Sequence, residues 1–251
     1  MYEFDGFYSV RNDRAIMERR LQGNACAQEF IPIAQRQAMR IAKFPFVRAV
    51  MASGSLSKNY MDDESDLDFF IVTSPGRLWI ARTLLIIYKR IFLLNSHKYF
   101  CVNYFVDEKH LEIEERNLFT ATELATVIPM YNYGLYRKLI EQNVWINEMF
   151  PNFRAKKTSI EKTNGFFVKR IAEKCLDLIA NPFDRLLMKM TLLRWERKYK
   201  KLYPPDQFHI AFKTKEYASK NHPRNFQKKV MDAYYKKQLE FNGLHRVTHL
   251  Q

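Results

Sequence analysis

Asp66 and Asp68 are separated by a single residue and open an otherwise apolar run. If that run is a β-strand, residues i and i+2 point to the same face, so both carboxylates converge while Leu67 turns into the core. Two carboxylates aimed at one point repel each other, and a divalent cation relieves that repulsion. Magnesium prefers oxygen ligands and usually shares them between protein carboxylates and substrate phosphates. The pair therefore predicts a magnesium site.

A Gly-Ser pair, Gly54 and Ser55, precedes the aspartates by about ten residues. Glycine lets the backbone approach a phosphate closely, and serine adds a hydroxyl and an N–H donor. Lys58 lies three residues beyond Ser55 and could reach a triphosphate, although an exposed loop lysine explains it equally well. These residues predict a phosphate-binding loop beside the aspartates.

The elements around these residues follow from apolar patterning and from Pro and Gly positions. We expect a helix over residues 13–43, with Pro32 a point of kinking, and then a strand from Phe46 to Met51. A loop from Ala52 to Ser65 leads into the strand Asp66 to Thr73. The next expected elements are a helix from a Ser74 cap and Pro75 to Leu94, a strand from Tyr99 to Val106 and a hairpin partner from Leu111 to Glu115.

This arrangement resembles the polymerase-β-type nucleotidyltransferase superfamily, whose motif is Gly-Ser, about ten residues, and an Asp-x-Asp pair on the following strand. The resemblance covers roughly residues 30–115. It implies that Gly54 and Ser55 bind a nucleoside triphosphate such as ATP, and Lys58 stays a candidate by position alone. It further implies that Asp66 and Asp68 are catalytic ligands of Mg²⁺.

The family usually places a third carboxylate on a later strand, where it helps to activate the attacking hydroxyl. The strand from Tyr99 to Val106 carries Asn103 at its middle instead. Asn103 is our candidate third catalytic residue, because an amide oxygen can bind a metal although it cannot accept a proton. Substitutes by position alone are Asp107, Glu112 and Glu114.

The predicted fold class is α+β, with a small mixed nucleotidyltransferase sheet flanked by helices and followed by an all-helical C-terminal domain. Residues 1–150 are expected to form the catalytic domain and residues 151–251 a basic helical domain, with the boundary between Met149 and Lys157. Further helices are expected at Thr120–Val127, Tyr133–Asn143, Thr158–Ile179, Pro182–Tyr203 and Pro223–Phe241.

Charge is divided unevenly along the chain. Residues 1–150 hold 18 of the 41 basic and 18 of the 27 acidic residues, so the whole net charge of +14 lies in residues 151–251. This asymmetry indicates an anionic partner for residues 154–246, namely RNA or another polyanion, with a solvated basic surface as the alternative. No apolar run is long enough to span a membrane, and three scattered cysteines fit a reducing, cytoplasmic location.

The function predicted from these features is magnesium-dependent transfer of a nucleoside monophosphate from a nucleoside triphosphate to a hydroxyl acceptor. The acceptor stays open: RNA, a small hydroxylated molecule or a protein side chain. The alternative is a catalytically impaired nucleotide sensor or scaffold with a basic nucleic-acid-binding domain, since the third carboxylate is replaced.

Overall fold

Helices and a mixed β-sheet build the protein. The computed structural model describes residues 2–96, 98–157, 166–178 and 180–248. Its strands are β1 (Tyr2–Phe4), β2 (Phe7–Ser9), β3 (Val47–Ser53), β4 (Asp68–Thr73), β5 (Cys101–Asp107), β6 (Ile128–Tyr131), β7 (Thr214–Lys215) and β8 (Ala218–Lys220). Its helices are α1 (Arg14–Ala42), α2 (Gly54–Ser57), α3 (Leu78–Phe92), α4 (Leu118–Thr126), α5 (Tyr133–Gln142), α6 (Ile146–Met149), α7 (Phe167–Asp177), α8 (Ala180–Tyr199), α9 (Pro205–Ala211) and α10 (Phe226–Thr248).

The main sheet has the strand order β6-β3-β4-β5-β8-β7. Strands β4 and β5 run parallel because α3 carries the chain back between them, whereas the other neighbouring strands are antiparallel. Strands β1 and β2 form a separate hairpin. The two strands that carry Asp68 and Asn103 therefore lie side by side at the centre of the sheet.

Each face of the sheet is covered by its own apolar cluster, as the alternation along β4 requires. Phe69 and Ile71 point into a cluster with α1, α3, α8 and α9. Phe70 and Val72 point into a second cluster with α4, α5 and α6. The sheet is thus a middle layer between two layers of helices, which supports the α+β prediction.

The expected first helix is confirmed as α1, which begins after an Asp13 cap whose side chain accepts from the Ala15 N–H. Small buried residues, Ala27, Ala34 and Ala38, let it pack closely on the sheet. Pro32 lies inside the helix without dividing it.

The start of α3 differs from the prediction at Ser74 and Pro75. The Ser74 N–H donates to the Phe46 carbonyl, the Arg77 N–H donates to the Ser74 carbonyl, and the helix begins only at Leu78. Gly76 has a φ of +64°, a conformation outside the helical region, so Ser74 to Arg77 form a turn ahead of the helix.

The predicted hairpin partner from Leu111 to Glu115 is wrong. The side chain of Asn143 takes the backbone groups that a strand would use, accepting from the Ile113 N–H at 2.8 Å and donating to the Leu111 carbonyl at 2.8 Å. The free edge of β5 pairs instead with β8. Leu111 and Ile113 are nevertheless buried. The alternation of apolar and acidic residues in this segment therefore indicated which side chains are buried, and not a strand.

The C-terminal region is not all-helical. Strands β7 and β8 interrupt its helices, and β8 extends the main sheet through pairs such as Tyr104 with Lys220. Three of the expected helices are present as α7, α8 and α10, although residues 158–165 and 179 of the first lie outside the described residues. The two-domain division stays a prediction, but both segments share one sheet.

None of the helices in the described ranges has the length and apolar character needed to cross a membrane.

Candidate functional site

Gly54 lies where β3 ends, directly against the first residue of β4. Ser53 pairs with Asp68 across the two strands, and Gly54 follows with a φ of +63°. A Cβ atom at position 54 would lie 2.3 Å from Asp68 Oδ2. Both the conformation and the lack of space require glycine here. The Gly-Ser pair was predicted to lie in a loop but begins the short helix α2, and its glycine is in direct contact with Asp68.

Asp68 carries an incompletely compensated charge. Burial raises the pKa of its carboxyl to about 6. A hydrogen bond from the Cys101 thiol and the charge of Lys58 act in the opposite direction, whereas the charges of Asp66 and Glu123 raise the pKa further. Leu67 between the aspartates is buried in the core. Asp66 was predicted to open the strand but precedes its first residue, and only its charge is seen to act on Asp68.

Asn103 reaches Asp68 through an irregularity in the sheet. The pairing of β4 with β5 passes from Phe69–Val102 to Phe70–Tyr104, so Asn103 is an extra residue without a partner in the ladder. Such bulges redirect a side chain and are common beside functional sites. The Asn103 Nδ2 donates to Asp68 Oδ1 at 2.9 Å. Its amide therefore partly compensates the half-buried carboxylate of Asp68.

Lys58 contacts both the Gly-Ser pair and a carboxylate from α4. Its Nζ donates to the Gly54 carbonyl at 2.9 Å and forms an ion pair with Glu123 Oε1 at 2.8 Å. Glu123 comes from α4, and its charge also raises the pKa of Asp68. Sequence reasoning missed Glu123, because nothing local marks a helix residue that reaches the site only after folding.

A second ammonium group, that of Lys156, lies near Lys58. Its Nζ donates to the Thr126 carbonyl, and burial together with the Lys58 charge lowers its pKa to about 8. Thr126 also binds Ser57, with 3.1 Å between their hydroxyl oxygens, which links α4 to α2. Lys156 was likewise missed, since it follows the predicted catalytic domain in the segment assigned to the domain boundary.

The carboxylates considered as substitutes by position are engaged elsewhere. Asp107 binds His110 at 2.7 Å, Glu112 pairs with Arg116, and Glu114 pairs with lysines that include Lys215. Lys215 and Tyr217 together lower the pKa of Glu114 to about 2 by hydrogen bonding. Glu123 is therefore a better-placed additional carboxylate than any of these three.

The donor set fits a hard cation. Within the described ranges, no group of three or more His, Cys, Asp and Glu side chains is gathered as a metal site. Magnesium does not need such a group, because it usually takes one or two carboxylates and completes its shell with water and substrate phosphates. Asp68, whose charge is incompletely compensated, together with Asp66 offers that pair.

Comparisons with protein-family models, with curated proteins and with solved structures gave no match to this chain. The resemblance carried by Gly54, Ser55, Asp66 and Asp68 therefore stays a prediction.

Proposed function

We propose that this protein is a magnesium-dependent nucleotidyltransferase, which moves a nucleoside monophosphate from a nucleoside triphosphate to a hydroxyl acceptor. The observation that carries the proposal is the contact of Gly54 with Asp68, where a single added carbon would lie 2.3 Å from the carboxylate. A phosphate chain bound along the Gly54–Ser55 backbone would lie beside the half-buried, under-compensated carboxylate of Asp68. Nucleotidyl transfer requires phosphates and metal-binding carboxylates to lie side by side, and this contact supports the proposal.

Each side chain then has a defined task. The backbone of Gly54 and Ser55 binds the phosphates, and Lys58 lies at the same loop as a cation for them. Asp66 and Asp68 would hold the magnesium ion, and Asn103 would orient Asp68 through its 2.9 Å hydrogen bond. Bound magnesium would neutralise phosphate charge and stabilise the charge that develops during transfer.

Activation of the acceptor falls to a group other than Asn103, since an amide cannot accept a proton. Glu123 is our candidate, because its carboxylate faces the cluster from α4 and is only partly buried. It is bound to Lys58 in this structure, so it would act after Lys58 has turned to the phosphates.

The second candidate function is a nucleotide sensor or scaffold. One observation favours it: Asn103 occupies the strand where the resembled family has a carboxylate, and the amide is committed to Asp68. Such a protein would bind a nucleoside triphosphate with magnesium but would not release pyrophosphate. In either case, we propose that residues 154–246 contact RNA or another polyanion.

The test is pyrophosphate release from each of the four common nucleoside triphosphates, with magnesium and with RNA or small hydroxylated acceptors. Asp66→Asn and Asp68→Asn are expected to lower turnover by on the order of a hundredfold or more. The matched control is Asp63→Asn in the exposed loop before the pair. Binding of nucleotide without turnover would favour the sensor, and full activity in both aspartate variants would exclude the assignment.

A further inference from the structure

Helix α7 is amphipathic in the reverse of the usual sense. Its inner side carries the charged residues Lys169 and Glu173 beside Leu176, which packs against the core, whereas Phe167 and Val168 on the helix are 68% and 78% exposed. Leu178, which follows the helix directly, is 88% exposed. At about 100° per residue, Phe167 and Ile171 lie within about 40° of each other, opposite the charged pair. A helix of a globular protein normally turns such an apolar side inward.

The orientation of α7 is fixed by its polar contacts. Lys169 Nζ donates to the carbonyls of Ala42 at 2.8 Å and Val47 at 2.5 Å. Glu173 accepts two hydrogen bonds from Arg48 and one from the Phe46 N–H. Rotating the helix to bury its apolar side would break all of these bonds. These contacts on the inner side of α7 therefore keep the apolar stripe exposed to solvent.

Helix α8 also carries a stripe of exposed apolar residues. Its exposed apolar residues are Phe183, Leu186, Met190 and Leu193, which fall within an arc of about 80°. Trp195, by contrast, points to the core against Trp79 and Phe212. Two consecutive helices thus present apolar stripes on their exposed sides. We call the exposed sides of these helices the α7–α8 face.

The charge of the α7–α8 face is positive. Exposed cations flank the stripes on both helices, and they include Arg170, Lys174, Lys189, Arg194, Arg197 and Lys198. The acidic residues of the two helices are held by partners: Glu173 by Arg48, Asp177 by Arg77, Asp184 by the Ile80 N–H and Glu196 by Lys200. An anionic partner with an apolar layer would complement this surface.

We propose that the α7–α8 face binds the surface of an anionic lipid bilayer. Interfacial helices of this composition bury their apolar side at the boundary of headgroups and acyl chains, while lysine and arginine bind the anionic headgroups. RNA complements the cations but offers little to aliphatic side chains such as Ile171, Leu186 and Met190. A second copy of the chain would bring cations against cations.

The proposal specifies the polyanion assigned above to residues 154–246, and it does not depend on catalysis. The test is co-sedimentation of the intact protein with vesicles of phosphatidylcholine alone or with about one-fifth phosphatidylserine. We expect binding to the phosphatidylserine vesicles only, with affinity that falls as salt rises.

Two paired variants test the face itself. Phe167→Ser with Ile171→Ser and, separately, Arg194→Gln with Arg197→Gln are each expected to weaken vesicle binding by on the order of tenfold. The matched controls are Val144→Ser and Lys138→Gln, which remove an exposed apolar side chain and an exposed cation from the N-terminal part of the chain. Unchanged far-ultraviolet circular dichroism establishes that each variant is folded.

Three results would overturn the proposal. Equal binding of the face variants and the controls would place the lipid contact elsewhere. Binding to RNA without binding to vesicles would assign the polyanion to nucleic acid. If the protein does not bind vesicles and forms a dimer that the serine variants dissociate, a second copy covers the face. The vesicle assay does not depend on nucleotide turnover. A failure of the nucleotidyltransferase proposal can therefore be told apart from a failure of the lipid proposal.

Discussion

Asp68 and Glu173 are both withdrawn from solvent, but the protein surrounds them in opposite ways. Burial alone would raise the pKa of Glu173, yet the hydrogen bonds from Arg48 and the Phe46 N–H more than offset it and leave the pKa lowered. The pKa of Asp68 is raised, because one amide and one thiol do not replace its lost hydration. A fully paired charge fixes the position of a helix, whereas an incompletely paired charge is available to a ligand.

The largest effect on stability should come from breaking the ion pair between Glu173 and Arg48. Glu173→Ala leaves Arg48 partly buried without its carboxylate and removes the acceptor of the Phe46 N–H, so we expect a loss of about 3 kcal/mol in the free energy of unfolding. Urea denaturation measures it. Glu141→Ala, which removes an exposed pair with Arg137, should cost less than about 0.5 kcal/mol.

The effect of Glu173 should depend on pH. A lowered pKa in the folded state means that the stabilisation is present above the unfolded value near 4.5 and is lost as the pH falls below it. The difference between the parent protein and Glu173→Ala should therefore shrink in acid. A difference that stays constant down to pH 3 would show that the carboxylate charge is not what anchors α7.

Removing the charge at Asp68 should have the opposite effect on the free energy of unfolding. Asp68→Asn keeps an acceptor for Asn103 and removes the uncompensated charge, so it should stabilise the metal-free protein by about 2 kcal/mol at pH 8. The raised pKa means that the cost of the charge is absent below about 3.8, grows as the pH rises and is complete above about 6. The gain should accordingly vanish near pH 4.

Thermal unfolding at the two pH values measures this difference, and Asp63→Asn is the exposed control. Magnesium should raise the Tm of the parent protein and leave that of Asp68→Asn unchanged, because only the parent offers the full carboxylate pair. Destabilisation of Asp68→Asn at pH 8 would mean that Asp68 is a structural residue, like Glu173.

The smallest effect is expected at Asn103. Asn103→Asp replaces the donor to Asp68 with a second carboxylate, which should lower metal-free stability by about 1 kcal/mol at pH 8. The same charge should enlarge the magnesium-dependent rise in Tm and tighten magnesium binding. Calorimetric titration measures the affinity. Equal magnesium affinity in both proteins would place Asn103 outside the metal shell.

Local patterns predicted the elements that carry their own signal. The continuous apolar run from Phe69 to Val72 predicted β4, although the strand begins at Asp68 and leaves Asp66 just outside it. The edge partner of β5 was missed because Ala218 to Lys220 is only three residues long and its stability comes from pairing with a distant strand.

The site was predicted less completely than its motif. Asn103 was assigned from its place in a strand, yet it reaches Asp68 through a bulge, which depends on the register of two strands. Glu123 and Lys156 reach Lys58 and its surroundings from segments far along the chain. Contacts of this kind arise from tertiary packing, and no spacing in the sequence records them.

The pairing of β5 with β8 has a consequence for synthesis. A ribosome releases the chain from its N-terminus, so β5 emerges long before Ala218 to Lys220, which cover its outer edge. During that interval the strand that carries Asn103 has a row of unpaired N–H and C=O groups, the feature by which nascent chains join edge to edge. A premature stop near residue 150 would make this condition permanent, and the product should accumulate as aggregates rather than as a folded N-terminal half.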